Sequence, residues 1–163
     1  MIIWITGLSA AGKSTLARGV ADRLKGSKLT INLDGDLIRE LFFNHLGYDK
    51  QDRIEQIKRI QNLAQLYYDS EVVVIVSAVY YDEDIDRLNR LMFNRYFLVF
   101  LKATPDLLKS RDRKGIYSGN SDLGSVVGID IPYNEPMSAD LVIDINKNYN
   151  VQEMVDEVIK LVG

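Results

Sequence analysis

The feature that most constrains this chain lies within its first fifteen residues. Met1-Ile2-Ile3-Trp4-Ile5-Thr6 is a short apolar, β-branched run, and Gly7-Leu8-Ser9-Ala10-Ala11-Gly12-Lys13-Ser14 follows at once. Leu16, Ala17, Val20, Ala21 and Leu24 then recur at helical spacing. The middle stretch satisfies G-x-x-x-x-G-K-[ST] in full, between a buried strand and a helix N-terminus, where a phosphate-binding loop has to sit. Gly7 and Gly12 let the backbone turn tightly, so that successive N–H groups approach phosphate oxygens. The helix starting near Lys13 aims its positive end at the same place. Lys13 is expected to reach the β- and γ-phosphates of ATP, and the Ser14 hydroxyl to ligate Mg²⁺. Thr15 is expected to pack or hydrogen-bond behind the loop.

Apolar runs alternate with helix-period segments along the whole chain, the signature of a parallel sheet covered by helices. The pattern predicts strands over about 2–6, 29–33, 72–76, 96–101 and 141–145. It predicts helices over about 13–24, 36–44, 50–69, 82–94, 105–113 and 151–161. Ile54, Ile57, Ile60, Leu63 and Leu66 are read as the apolar stripe of the third helix. Pro105 sits at a helix start, where its missing N–H costs nothing. The expectation is therefore an α/β fold of the P-loop NTPase, nucleoside-monophosphate-kinase-like type: one domain over 1–163, with about five parallel strands and helices on both faces. Residues 114–137, rich in Gly, Pro, Ser, Asp and Asn, are too long for a plain connection and are read as a lid loop.

Composition narrows the partners. A net charge of −3 argues against sequence-independent nucleic-acid binding while leaving room for a local basic pocket. Cysteine is absent, so disulfides and thiol chemistry are excluded, which fits a cytoplasmic location. The apolar start leads straight into the phosphate loop and is read as a core strand, with no signal peptide. No apolar run has the length of a membrane span.

Ligands of open α/β sheets bind outside the carboxyl ends of the strands. Asp34 and Asp36 fall at such an end. Asp34 is assigned to orienting Mg²⁺ through its water shell, and Asp36 to accepting the proton of an attacking hydroxyl. The two roles could be exchanged, and Asp36 could also cap the following helix. Arg39 lies one turn after Asp36; Arg53 and Gln56 share a face of the long helix. Guanidinium groups there are suited to holding a phosphate or sulfate bidentately. Arg111-Asp112-Arg113-Lys114 opens the lid, and Arg111 and Lys114 are candidates to close on the ATP phosphates. Lys58 reads as solvated, and His45 receives no catalytic role.

These residues resemble the adenylylsulfate (APS) kinase family. Residues 7–15 are similar to its phosphate loop, and Leu33-Asp34-Gly35-Asp36 with Arg39 to its L-D-G-D-x-x-R motif. Leu46-Gly47-Tyr48 and Asp52-Arg53-Ile54-Glu55 resemble L-G-F and D-R-x-E-N. Arg111 to Tyr117 is similar to R-D-x-K-G-L-Y, and Gly128 to Tyr133 to G-I-D-x-P-Y. The resemblance implies an enzyme that uses MgATP to phosphorylate the 3′-hydroxyl of a nucleotide with a modified 5′-phosphate, in a homodimer. It implies an acceptor pocket of Asp36, Arg39, Tyr48, Arg53, Gln56, Ser77, Tyr80 and Val126.

The departures from the family pattern fall on that pocket. Asn after D-R-x-E is Gln56 here, Tyr80 stands where I-S-P has Ser, and Val126 occupies the aromatic place of the lid's F-T-G-I. In the family that Phe and the residue matching Tyr48 sandwich the adenine. Loss of one stacking face, worth about 1–3 kcal/mol, weakens the case for adenine. The expected acceptor is therefore cytidine diphosphoramidate, substrate of a relative acting in capsule phosphoramidate synthesis, with adenylylsulfate as the alternative. A non-catalytic nucleotide-binding module is the alternative of another class. A GTPase reading fails because Asn146-Lys147-Asn148-Tyr149 lacks the Asp of N-K-x-D.

Overall fold

The computed structural model describes residues 1–163 except 44, 113–114, 118–125 and 148. Its strands are β1 (Ile2–Thr6), β2 (Thr30–Asp34), β3 (Val73–Ala78), β4 (Tyr96–Lys102) and β5 (Leu141–Asp144). All neighbours pair in parallel, in the order β2-β3-β1-β4-β5. The helices are α1 (Lys13–Leu24), α2 (Gly35–Leu41), α3 (Lys50–Tyr68), α4 (Glu83–Met92), α5 (Pro105–Ser110) and α6 (Val151–Val162). Among the described residues no helix is long and apolar enough to cross a membrane.

The two-residue period of the strands divides the core into two clusters. Ile3 and Ile5 of β1 pack with Ile75, Val99 and Leu101 against Leu16 and Val20 of α1 and Val155 and Val158 of α6. Ile2 and Trp4 turn the other way and pack with Val74, Val76 and Leu98 against Ile57, Ile60 and Ala64 of α3. Burial on both faces is why β1 and β3 read as unbroken apolar runs.

Three expectations change. The buried face of α3 carries Ile57, Ile60 and Ala64, whereas Leu66 is 66% exposed. Residues spaced by three drift about 60° around a helix at each step, so a stripe read as 54-57-60-63-66 winds off the core. The second helix stops at Leu41 because Phe43 adopts a left-handed φ of 59°. The fifth helix stops at Ser110, whose Oγ bonds the Leu107 carbonyl; residue 113, its expected end, lies outside the described residues.

The topology gathers the carboxyl ends of β1, β2 and β3. Gly7 leaves β1 with φ 148°, and a Cβ there would stand 2.7 Å from the Leu101 carbonyl oxygen, so no other residue fits without moving backbone.

Candidate functional site

At the end of β1 the phosphate loop turns through two left-handed residues, Ala10 at φ 63° and Gly12 at φ 94°, the latter capping α1. Lys13 folds back over the loop, its Nζ donating to the Leu8 carbonyl at 2.9 Å. Such an arch of backbone N–H groups closed by an ammonium and a helix N-terminus is an anion cradle. Thr15, expected to pack behind the loop, is instead exposed, as is Ser14. The next helical positions, Leu16 and Ala17, take the core side.

Two later segments seat on this loop. The Tyr117 hydroxyl donates to the Ser9 carbonyl at 3.0 Å. Burial, then the Asp112 carboxylate, push that phenol up to about 12, so it keeps its proton over any working pH. Gly128, at φ 89°, lies against Leu8: a Cβ there would come 2.8 Å from Leu8 Cδ2. Neither contact was foreseen. Tyr117 belonged to a recognised motif, but only the tertiary structure tells where its ring goes.

Asp34 ends β2 and is the N-cap of α2, accepting from the backbone N–H groups of Asp36 at 3.0 Å and Leu37 at 3.4 Å. The cap falls to Asp34 and leaves Asp36 in the helix's first turn. The other Asp34 oxygen accepts from Ser14 Oγ at 2.5 Å and Ser77 Oγ at 2.8 Å. Burial works against the charge, but the two hydroxyls and two N–H groups outweigh it and hold this carboxyl below its ordinary range. The Ser14 hydroxyl and Asp34 carboxylate suit Mg²⁺, a hard cation that keeps waters and substrate phosphates in its shell and needs few protein oxygens. Among the described residues no group of three or more His, Cys, Asp or Glu converges on a metal site, so an all-protein cage is not formed there.

Beyond β2 and β3 a pocket opens, lined by Asp36, Arg39, Tyr48, Arg53, Gln56 and Tyr80 together with Gly35, Ile57, Ile60, Ala78 and Val79. Arg39 is buried and donates through Nη1 to the carbonyls of Leu46 and Gly47, both at 2.8 Å. Its guanidinium lies 4.5 Å from the Tyr48 ring centre, and that of Arg53 lies 5.5 Å from it. Arg53 also donates from Nε to the Tyr48 carbonyl at 2.8 Å. These contacts, each a cation over a π-face or a donor on a carbonyl, fix both forks. Burial, then the neighbouring Arg39 charge, lower the Arg53 pKa, so a second positive charge is held where solvation is poor. An anionic ligand would relieve that strain. Burial and Asp82 raise the Tyr80 phenol, which stays neutral.

The structure thus brings together six of the expected acceptor residues and separates two. Ser77 turns its hydroxyl to Asp34 and does not line the pocket, and neither does Val126. Val126 is buried in the turn closed by the Asp130 carboxylate, which accepts from its N–H at 2.7 Å. Arg111 is exposed at the end of α5. Lys114 and most of the expected lid, 118–125, lie outside the described residues. Ala78 and Val79 were missed as pocket walls; following the end of β3 past its last predicted residue would have reached them.

Known proteins resemble this chain in sequence and fold. Residues 1–144 match the family model for adenylylsulphate kinase. The chain is 38% identical to the adenylyl-sulfate kinase of Geotalea uraniireducens over 167 residues, covering 99% of this chain and 80% of the relative. It is 35% identical to the cytidine diphosphoramidate kinase of Campylobacter jejuni over 162 residues, covering 98% of this chain and 94% of the relative. The structure of the Mycobacterium tuberculosis APS kinase CysC in complex with AMPPNP and APS superposes with a TM-score of 0.86 at 32% identity, covering 98% and 95% of the two chains. This chain belongs to the adenylylsulfate kinase family, and is a phosphotransferase that uses ATP and a hydroxyl acceptor.

Proposed function

We propose that this kinase phosphorylates the 3′-hydroxyl of cytidine diphosphoramidate, as a step in capsule phosphoramidate synthesis. The observation that carries the reading is Tyr80, only 8% exposed, in the wall of the acceptor pocket. The family segment it resembles has a serine there. A phenol takes up room that a bicyclic base would use, and a pyrimidine is smaller. Val126 adds to the case, since it stands at the family's stacking Phe and lies outside the pocket lining. A base bound here lacks that second stacking face, a loss of about 1–3 kcal/mol for adenine.

In this reading the loop 7–15 cradles the ATP phosphates, with Lys13 on the β- and γ-phosphates and Arg111 and Lys114 closing from the lid. Residues 114–137 act as that lid within a single domain, 1–163. Ser14 would ligate Mg²⁺ and Asp34 would orient it through its water shell, and the ion would supply charge neutralisation at the phosphoryl oxygens. Asp36 accepts the 3′-hydroxyl proton. Arg39 and Arg53 grip the 5′-diphosphate end, and Tyr48 and Tyr80 bound the base. The enzyme is taken to work in the cytoplasm, as a homodimer.

The adenylyl-sulfate kinases among the relatives favour a second reading, with adenylylsulfate as acceptor. A coupled ADP-release assay with MgATP and the two acceptors at matched concentration separates them. Preference for the cytidine compound is expected; efficient turnover of adenylylsulfate without it would reverse the assignment.

A further inference from the structure

Gln56 sits on α3 one turn after Arg53, lines the acceptor pocket and is 5% exposed. Its amide orientation is fixed, because Nε2 donates to the Gly35 carbonyl at 3.1 Å. A flipped amide would set two carbonyl oxygens against each other. Oε1 is therefore the other limb of the amide. It is buried and has no hydrogen-bond partner. Buried acceptors are nearly always satisfied, and one left without a partner in a pocket-lining residue is suited to a donor from the ligand. The family motif has Asn at this position; the extra methylene of Gln gives the amide its longer reach.

An acceptor-only oxygen one helical turn from the guanidinium of Arg53 is an unexpected neighbour for an all-oxygen anion. A sulfate offers that oxygen only lone pairs, whereas a phosphoramidate group carries both anionic oxygens for the arginines and N–H bonds for an acceptor. We propose that Gln56 is the specificity-determining residue of this pocket, its Oε1 accepting from the amidate nitrogen of the substrate while Arg39 and Arg53 hold the adjoining phosphate oxygens. This inference rests on the reading of the acceptor as cytidine diphosphoramidate. Oε1 is closed to water here, so its pairing with the amidate nitrogen requires the pocket wall to open on binding.

The test compares kcat/KM for cytidine diphosphoramidate and for CDP, which has oxygen in place of the amidate nitrogen, in the wild type and in Gln56→Met. A site built around a substrate N–H discriminates strongly against an analogue without it. The wild type should prefer the amidate by about 100-fold, and Gln56→Met should bring the two within about 3-fold. Loss of the Gly35 contact in the variant lowers both acceptors together, so the ratio is the readout. Equal use of the two by the wild type would overturn the proposal without any variant. So would a ratio unchanged in Gln56→Met, or in Gln56→Leu should the first variant fail to fold or to bind ATP. Turnover of adenylylsulfate with neither cytidine compound would remove the underlying substrate reading as well; use of the amidate with an insensitive ratio would remove only the role of Gln56.

Discussion

Ser14 Oγ donates to Asp34 Oδ2 across 2.5 Å, tying the first turn of α1, which follows β1, to the end of β2 although β3 lies between those two strands in the sheet. The same carboxylate caps α2. One side chain therefore locks the phosphate loop, the second strand and the start of the acceptor pocket into a single arrangement.

Because this carboxyl is held below its ordinary pKa, its contribution to stability has a defined pH window. It is present in full above the ordinary carboxylate value and is lost as pH falls through the lower folded value. Asp34→Asn keeps an oxygen able to cap α2 but removes the charged acceptor of the two hydroxyls, and should destabilise the fold by about 1–2 kcal/mol at neutral pH. That deficit should stay level down to about pH 5 and shrink below about pH 4. Urea unfolding at three pH values measures it; a deficit that remains constant into the acid range would show that the carboxyl is not charge-stabilised.

Much of this arrangement was legible in the sequence, and most of what escaped shares one physical cause. The phosphate loop could be read because its geometry is set within eight consecutive residues. The strands could be read because burial on both faces leaves continuous apolar runs. Asp34 was singled out from its position at the end of β2, but its contact with Ser77 spans 43 residues. Tyr117 reaches Ser9 across 108 residues. No local pattern encodes such pairs. The α3 stripe failed for a different reason: a spacing of three looks helical over two steps and drifts off the face over four.

Tyr117 offers a test of the second clamp on the loop. Its hydroxyl bond to the Ser9 carbonyl should fix the loop's shape, while its ring packs against the core cluster beneath α1. Tyr117→Phe keeps the ring and deletes the bond. Stability should fall by about 1 kcal/mol, and ATP affinity should weaken while the KM for the acceptor stays within about two-fold. Isothermal titration with ATP and steady-state kinetics check this. An ATP affinity equal to wild type would mean that the loop holds its shape without the tyrosine.

Arg53 is held by burial, by its bond to the Tyr48 carbonyl and by the ring of Tyr48. A lysine cannot reproduce a planar fork on these partners. Arg53→Lys should raise the KM for the acceptor by about 10–100-fold, corresponding to the loss of one charge-assisted bond of about 1.5–3 kcal/mol. The KM for ATP should move little. An equal rise in both would place Arg53 in general folding of the site, not in acceptor binding.

Asp36 occupies the first turn of α2, is exposed and lines the pocket with Arg39 one turn further on. The cap of α2 is supplied by Asp34, so α2 does not depend on Asp36 for its start. Replacing its charge should cost only the favourable term of a carboxylate near a helix N-terminus, about 0.3–1 kcal/mol. If Asp36 takes the proton of the acceptor hydroxyl, Asp36→Asn should cut kcat by about 10²–10⁴-fold with ATP affinity and the unfolding midpoint nearly unchanged. Asn is nearly isosteric and can still accept a hydrogen bond, but it cannot take up a proton, so the loss isolates base catalysis from positioning. Turnover that survives the change would transfer the base role to Asp34. In that case Asp34→Asn, measured beside it, would lose turnover as well as its pH-dependent stability.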